Sequence, residues 1–136
     1  MADATNEAVL RELEQGPFSA ALRLKIESHG EGEATVRMFF GPGILNAGGP
    51  DVPIHGGAIA SLADFAACAA AWTMPRTRSS ATISMTVNYT APAVKTDLVA
   101  RARVRRSGKR IASIAVEIID QEGALVADAL VTYKIA

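Results

Sequence analysis

The chain has 136 residues, 49% of them hydrophobic and 21% charged, and its 14 Lys plus Arg balance 14 Asp plus Glu to a formal net charge of zero. That balance lacks the basic excess of a general nucleic-acid binder or a polybasic membrane-surface protein. One cysteine excludes an internal disulfide and a Cys-based metal cage, and two histidines argue against a multi-histidine metal site.

The length fits one domain, residues 1–136. The first fifteen residues are acidic and amphipathic, unlike a secretory leader. The most apolar stretch, Ala58–Trp72, is too short to span a bilayer and contains Asp64. The expectation is a cytoplasmic protein with neither a nucleic-acid nor a membrane partner. Aromatics are only 5%, and alanine is concentrated between Ala58 and Ala71. Small residues let a helix and a sheet approach closely, so a thin core is expected.

In chain order, Thr5–Gln15 reads as a short helix, with Val9, Leu10 and Leu13 on one stripe and Gly16-Pro17 as its stop. Phe18–Phe40 reads as a hairpin: Leu22, Leu24 and Ile26 alternate with Arg23, Lys25 and Glu27, His29–Gly32 turns, and Ala34–Phe40 returns. Gly41–Pro53, with four glycines and three prolines, is a loop. His55–Trp72 is the one long helix, ended by Thr73-Met74-Pro75. The period then switches to two. Thr82–Tyr89 sets Ile83, Met85, Val87 and Tyr89 against Thr82, Ser84, Thr86 and Asn88. Leu98–Arg106 sets Leu98, Ala100, Ala102 and Val104 against Arg101, Arg103 and Arg105, and Ile111–Asp120 and Ala124–Ile135 follow across a Gln121-Glu122-Gly123 turn. The order is a short helix and then β-β-α-β-β-β-β. This is an α+β chain whose antiparallel sheet curves around the alanine-rich helix.

Two features of Ile54–Asp64 carry chemistry. Gly56-Gly57 opens the helix, where unpaired N–H groups bind anions or a developing oxyanion, and glycine admits a ligand to them. Asp64 lies within an apolar helix, where a carboxylate needs a partner or a use. Each also has an ordinary reading: a tight turn, and a solvent-facing or backbone-bonded aspartate. His55 alone reads as a helix-start residue.

Taken together, His-Gly-Gly, six residues and Asp at the start of the central helix, followed by Ser84–Ala93 as strand and turn, resemble the hotdog-fold acyl-CoA thioesterases, closest to the phenylacetate-pathway (PaaI-type) branch. The resemblance covers nearly the whole chain after the first helix. It implies that Asp64 is the catalytic carboxylate, as general base or nucleophile, and that Gly56 supplies the oxyanion-hole N–H, with Gly57 beside it. It further implies that His55 orients the carbonyl or the loop and that Thr82 holds the attacking water. It implies a dimer, formed by pairing of the Thr82–Asn88 strands, with the active site between subunits, and association of dimers into a tetramer. The acyl-CoA is the substrate, and no metal or other cofactor is required.

One position departs from the family. An Asn or Gln usually stands six residues before the histidine, and here that position is Gly49. Asn46, nine residues before His55, takes the role if the loop bulges; otherwise Asp51 replaces it or the role is lost. Arg103, Arg105, Arg106, Lys109 and Arg110 form a basic face with Arg101. It reads either as a solvated outer face or as a dock for the phosphates of coenzyme A, with Arg76 and Arg78 as further candidates. Cys68 reads as a buried small residue, Met85 and Tyr89 as core, and His29 as exposed in its turn. Two other functions fit the same chain: a non-catalytic acyl-CoA binding module, and an acyl-thioester hydratase of the same fold.

Overall fold

The computed structural model describes residues 4–49 and 51–136. Three helices, α1 (Ala4–Gln15), α2 (Pro17–Leu22) and α3 (Gly56–Trp72), accompany six strands. The strands are β1 (Leu24–Gly30), β2 (Glu33–Met38), β3 (Ala81–Tyr89), β4 (Leu98–Ser107), β5 (Ile111–Ile119) and β6 (Leu125–Lys134). They form one antiparallel sheet in the order β1-β2-β4-β5-β6-β3. The sheet wraps α3, which packs against β2, β4, β5 and β6. This is the hotdog arrangement that the resemblance implies.

Alanine makes the close approach possible. Ala63, Ala66, Ala67, Ala69, Ala70 and Ala71 are fully buried, in one core with Met38, Leu98, Ile114 and Ile118. Branched or aromatic side chains at those helix positions would hold the sheet farther off. The two ends of α3 are tied differently. At its start, Ile54 N–H donates to Ala93 O (2.8 Å) and His55 N–H to Ile44 O (2.7 Å). At its end, Thr73 Oγ1 accepts from Gly32 N–H (2.7 Å), in the β1–β2 turn. Gly32 is required there: φ is +84°, and a Cβ would lie 3.3 Å from Met74 Sδ and 3.4 Å from Val104 Cβ.

The structure corrects the sequence reading at three places. The expected strand around Leu22 is instead α2, because Pro17 stands at the first helical position and Ser19–Leu22 lack β-branched residues. Arg23 ends α2 in the left-handed region (φ 58°), its guanidinium held on Phe40 O, and β1 begins only at Leu24. His29 lies in β1 and not in the turn; it is exposed, 3.7 Å from Glu7 of α1. The alternation along Thr82–Tyr89 is broken by a bulge. Thr82 pairs with Tyr133 and Ser84 with Thr132, so Ile83 is the extra residue and is 55% exposed. A bulge re-aims side chains, and Thr82 thereby joins Met85, Val87 and Tyr89 on the side facing α3.

Candidate functional site

Asp64 sits midway along α3, partly exposed, beside the start of β3. Thr82 Oγ1 donates to its Oδ1 at 2.5 Å. The bulge at Ile83 makes this contact possible, because strict alternation would send Thr82 to the outer face with Ser84. The Thr82 proton occupies one carboxylate oxygen, and Oδ2 has no protein donor among the described residues. Behind the pair lie Cys68, one helical turn on from Asp64, and Tyr133, opposite Thr82 on β6. Burial pushes the Cys68 thiol up, and the Asp64 charge adds to this against opposing hydrogen bonds with Tyr133 and Ser80. Burial and the Cys68 contact likewise push the Tyr133 hydroxyl up. A thiol kept protonated is a poor nucleophile, so this pair packs behind the carboxylate.

The helix mouth is the second half of the site. His55 caps α3: its Nδ1 accepts from Gly57 N–H at 2.8 Å, so it acts on the backbone of the loop. Ala58 and Ile59 N–H both donate to His55 O. The Gly57 N–H is therefore engaged, whereas the Gly56 N–H has no acceptor among the described residues. Gly56 thus presents one free donor at the positive end of a 17-residue helix. A Cβ on Gly56 would meet the Tyr89 ring at 3.3 Å, and Tyr89 Oη donates to Gly56 O at 2.7 Å. A cleft of about 360 Å³ opens here, lined by Ile54, Gly56, Ile59, Tyr89 and Thr90–Ala93.

The carboxylate and the free N–H do not meet within one chain. Asp64 lies eight positions beyond Gly56, which is about 12 Å at 1.5 Å per residue. A single thioester carbonyl cannot touch both in the same protomer.

Other candidates fall as follows. The loop before His55 does bulge. A bridge joins Leu45 to Ile54 and Asn46 N–H donates to Pro53 O at 3.0 Å, so Asn46 lies at the neck of the excursion, opposite Pro53, while His55 pairs with Ile44. Asp51 is engaged elsewhere, 2.9 Å from Lys95 Nζ. Arg103 lies on the outer face opposite Glu33 and Ala115, Arg105 is the extra residue of a bulge in β4, and Arg106 faces Ser113. With Lys109 and Arg110 of the following turn they are exposed, and none forms an ion pair among the described residues. They gather at the end of the sheet away from Gly56. Met85 packs partly against the core as expected, but Tyr89 does not: it is 53% exposed. Nothing in the period-two pattern distinguishes Tyr89 from Met85, and the contact with Gly56 spans 33 residues.

The comparisons with known proteins agree with this fold. The thioesterase superfamily model matches residues 54–127, from the helix mouth to the start of β6, and the chain belongs to that family. No curated protein matches. Among solved structures, the conserved protein PA5202 of Pseudomonas aeruginosa is 29% identical, with 93% of this chain and 98% of that one covered and a TM-score of 0.84. The Escherichia coli PaaI protein from the phenylacetic acid degradation operon is 28% identical over 97% of this chain and 91% of its own, with a TM-score of 0.81. A hypothetical thioesterase from Streptococcus pneumoniae, solved with coenzyme A, shares the fold at 21% identity, 93% and 96% coverage and a TM-score of 0.81.

Proposed function

We propose that the protein hydrolyses an acyl-CoA thioester to the free acid and coenzyme A. The observation that carries this reading is Asp64, held by Thr82, in a fold whose helix mouth offers one free N–H at Gly56. A thioester carbonyl is electrophilic and its thiolate leaves readily, so hydrolysis needs little acid assistance. It needs a positioned water and a dipole at the carbonyl oxygen.

In this reading Asp64 is the general base. Thr82 fixes Oδ1, and Oδ2 takes a proton as a water adds to the carbonyl carbon. The oxygen becomes an oxyanion on the Gly56 N–H. The carbon–sulfur bond then breaks, and coenzyme A leaves as a thiolate that regains a proton. Because Asp64 and Gly56 stand about 12 Å apart in one chain, the two come from different subunits of a dimer. Pairing of two β3 strands fits that dimer: β3 is the last strand of the sheet, and its outer edge has no neighbour among the described residues. The exposed cations Arg103, Arg105, Arg106, Lys109 and Arg110 dock the phosphates of coenzyme A.

The test is thiol release from acyl-CoAs running from short aliphatic to aromatic, with the matching pantetheine thioesters alongside. The wild type should turn over at least one acyl class, and Asp64→Ala and Asp64→Asn should lose at least about a hundredfold. Removing Arg106, Lys109 and Arg110 together should raise KM for the CoA ester and leave the pantetheine ester unchanged. Binding without turnover that ignores Asp64→Ala would make the protein an acyl-CoA binding module, and hydration of an enoyl-CoA would make it a hydratase.

A further inference from the structure

We propose that Tyr89 is a positioning residue of the oxyanion hole, the pin that holds the first peptide of α3 in register with the reacting carbonyl. This rests on the hydrolase reading and adds to it a residue that stands outside the His-Gly-Gly motif.

The argument starts from the cost of the glycine. Gly56 lets a substrate carbonyl reach its N–H, but glycine is also the residue with the most backbone freedom. An oxyanion donor works only if it is already aimed when charge develops. The structure supplies the missing constraint from both sides of Gly56. The preceding peptide is fixed at its carbonyl, His55 O, which accepts from Ala58 and Ile59 N–H, and the peptide before that is anchored by His55 N–H on Ile44 O. The following peptide is fixed at two atoms. Its N–H, on Gly57, donates to His55 Nδ1 at 2.8 Å, and its carbonyl, Gly56 O, accepts from Tyr89 Oη at 2.7 Å.

Tyr89 is placed for this and for little else. It is the last residue of edge strand β3, paired on one side only, with Ala127 of β6. It leaves more than half its surface in solvent, so it adds little to the core. Its ring lies against the open face of Gly56, where a Cβ would meet Cζ at 3.3 Å and Cε1 and Oη at 3.4 Å. The same ring walls the cleft at the helix mouth. The hydroxyl thus sets the peptide and the ring limits how a carbonyl approaches it. The contact also ties the oxyanion end of α3 to the strand whose other end carries Thr82.

The test separates the hydroxyl from the ring. Tyr89→Phe keeps the wall and removes the pin. With the best acyl-CoA of the panel, kcat should fall about tenfold, less than the hundredfold or more that follows loss of an oxyanion donor itself, and KM should stay within about twofold. Amide resonances of Gly56 and Gly57 should shift or broaden in the variant, while those of β6 stay in place. A Tyr89 that merely stabilised the fold would lower Tm and leave kcat below that temperature unchanged. Wild-type kcat in Tyr89→Phe, or a loss confined to KM, overturns the assignment and leaves the hydrolase reading standing. Absence of thiol release by the wild type across the panel overturns both.

Discussion

Thr82 and Asp64 act as a unit because a single inserted residue, Ile83, turns the threonine toward the helix. A hydrogen bond to a charged group contributes about 1.5–3 kcal/mol. Thr82→Val keeps the shape and removes the donor, so kcat should fall about ten- to a hundredfold with the fold intact by circular dichroism. Cys68 makes the opposite prediction. It shares a helix face with Asp64, but burial holds its thiol protonated, and Cys68→Ala should keep thiol release within a few-fold of wild type. Loss of turnover in that variant, with an unchanged fold, would place the thiol in the chemistry. At this scale the sequence was informative where the candidate residues fall in one contiguous motif: His55 caps α3, and Gly56 and Asp64 lie along it. The glycine pair by itself does not say which N–H is free, since that depends on the His55 ring accepting from Gly57; the resemblance alone singled out Gly56.

At the scale of the elements, α3 is a spacer whose thickness is set by alanine. Ala66 and Ala67 have no exposed surface, and inserting extra methylenes into a filled core costs about 1–3 kcal/mol. Ala67→Leu should therefore lower stability by that amount in denaturant titration, whereas Ala124→Leu, in the exposed turn before β6, should change it little. The elements themselves were legible because each long one has a clear period: alanine and leucine through Ala58–Trp72, then period two from Thr82 onward. The failures were local. Three alternating residues around Leu24 were too few to outweigh Pro17 at a helix start. A bulge, in turn, leaves the composition of β3 untouched while moving Thr82 to the other face. The loop before His55 is the same kind of case. Its glycines and prolines announce a turn, but the pinch at Leu45 and Ile54 that returns Asn46 to the neck is set by backbone pairing.

At the scale of the molecule, the spacing along α3 matters most. One chain separates its carboxylate from its free N–H by about two turns of helix, roughly 12 Å, and it leaves β3 as an open edge. In the proposed reading both features find their use in a second copy, where a two-fold pairing would bring Asp64 of each chain toward Gly56 of the other. Gly56→Pro is the matching lesion for the donor. Proline is favoured at the first helical position, and His55, at ψ 134°, already has the backbone that a residue before proline requires. The substitution deletes the N–H and also sets a ring against Tyr89, whose Cζ would lie 3.3 Å from the new Cβ. The decisive measurement is thiol release by Asp64→Asn, by Gly56→Pro, and by the two after unfolding and refolding together, with mixed dimers counted by native mass spectrometry. Each variant alone should be inactive, and the mixture should recover about a quarter of wild-type activity, because half the dimers are mixed and each holds one intact site. Mixed dimers that form and stay inactive, or a Gly56→Pro enzyme that works as well as wild type, would contradict a site built from Asp64 of one chain and Gly56 of the other.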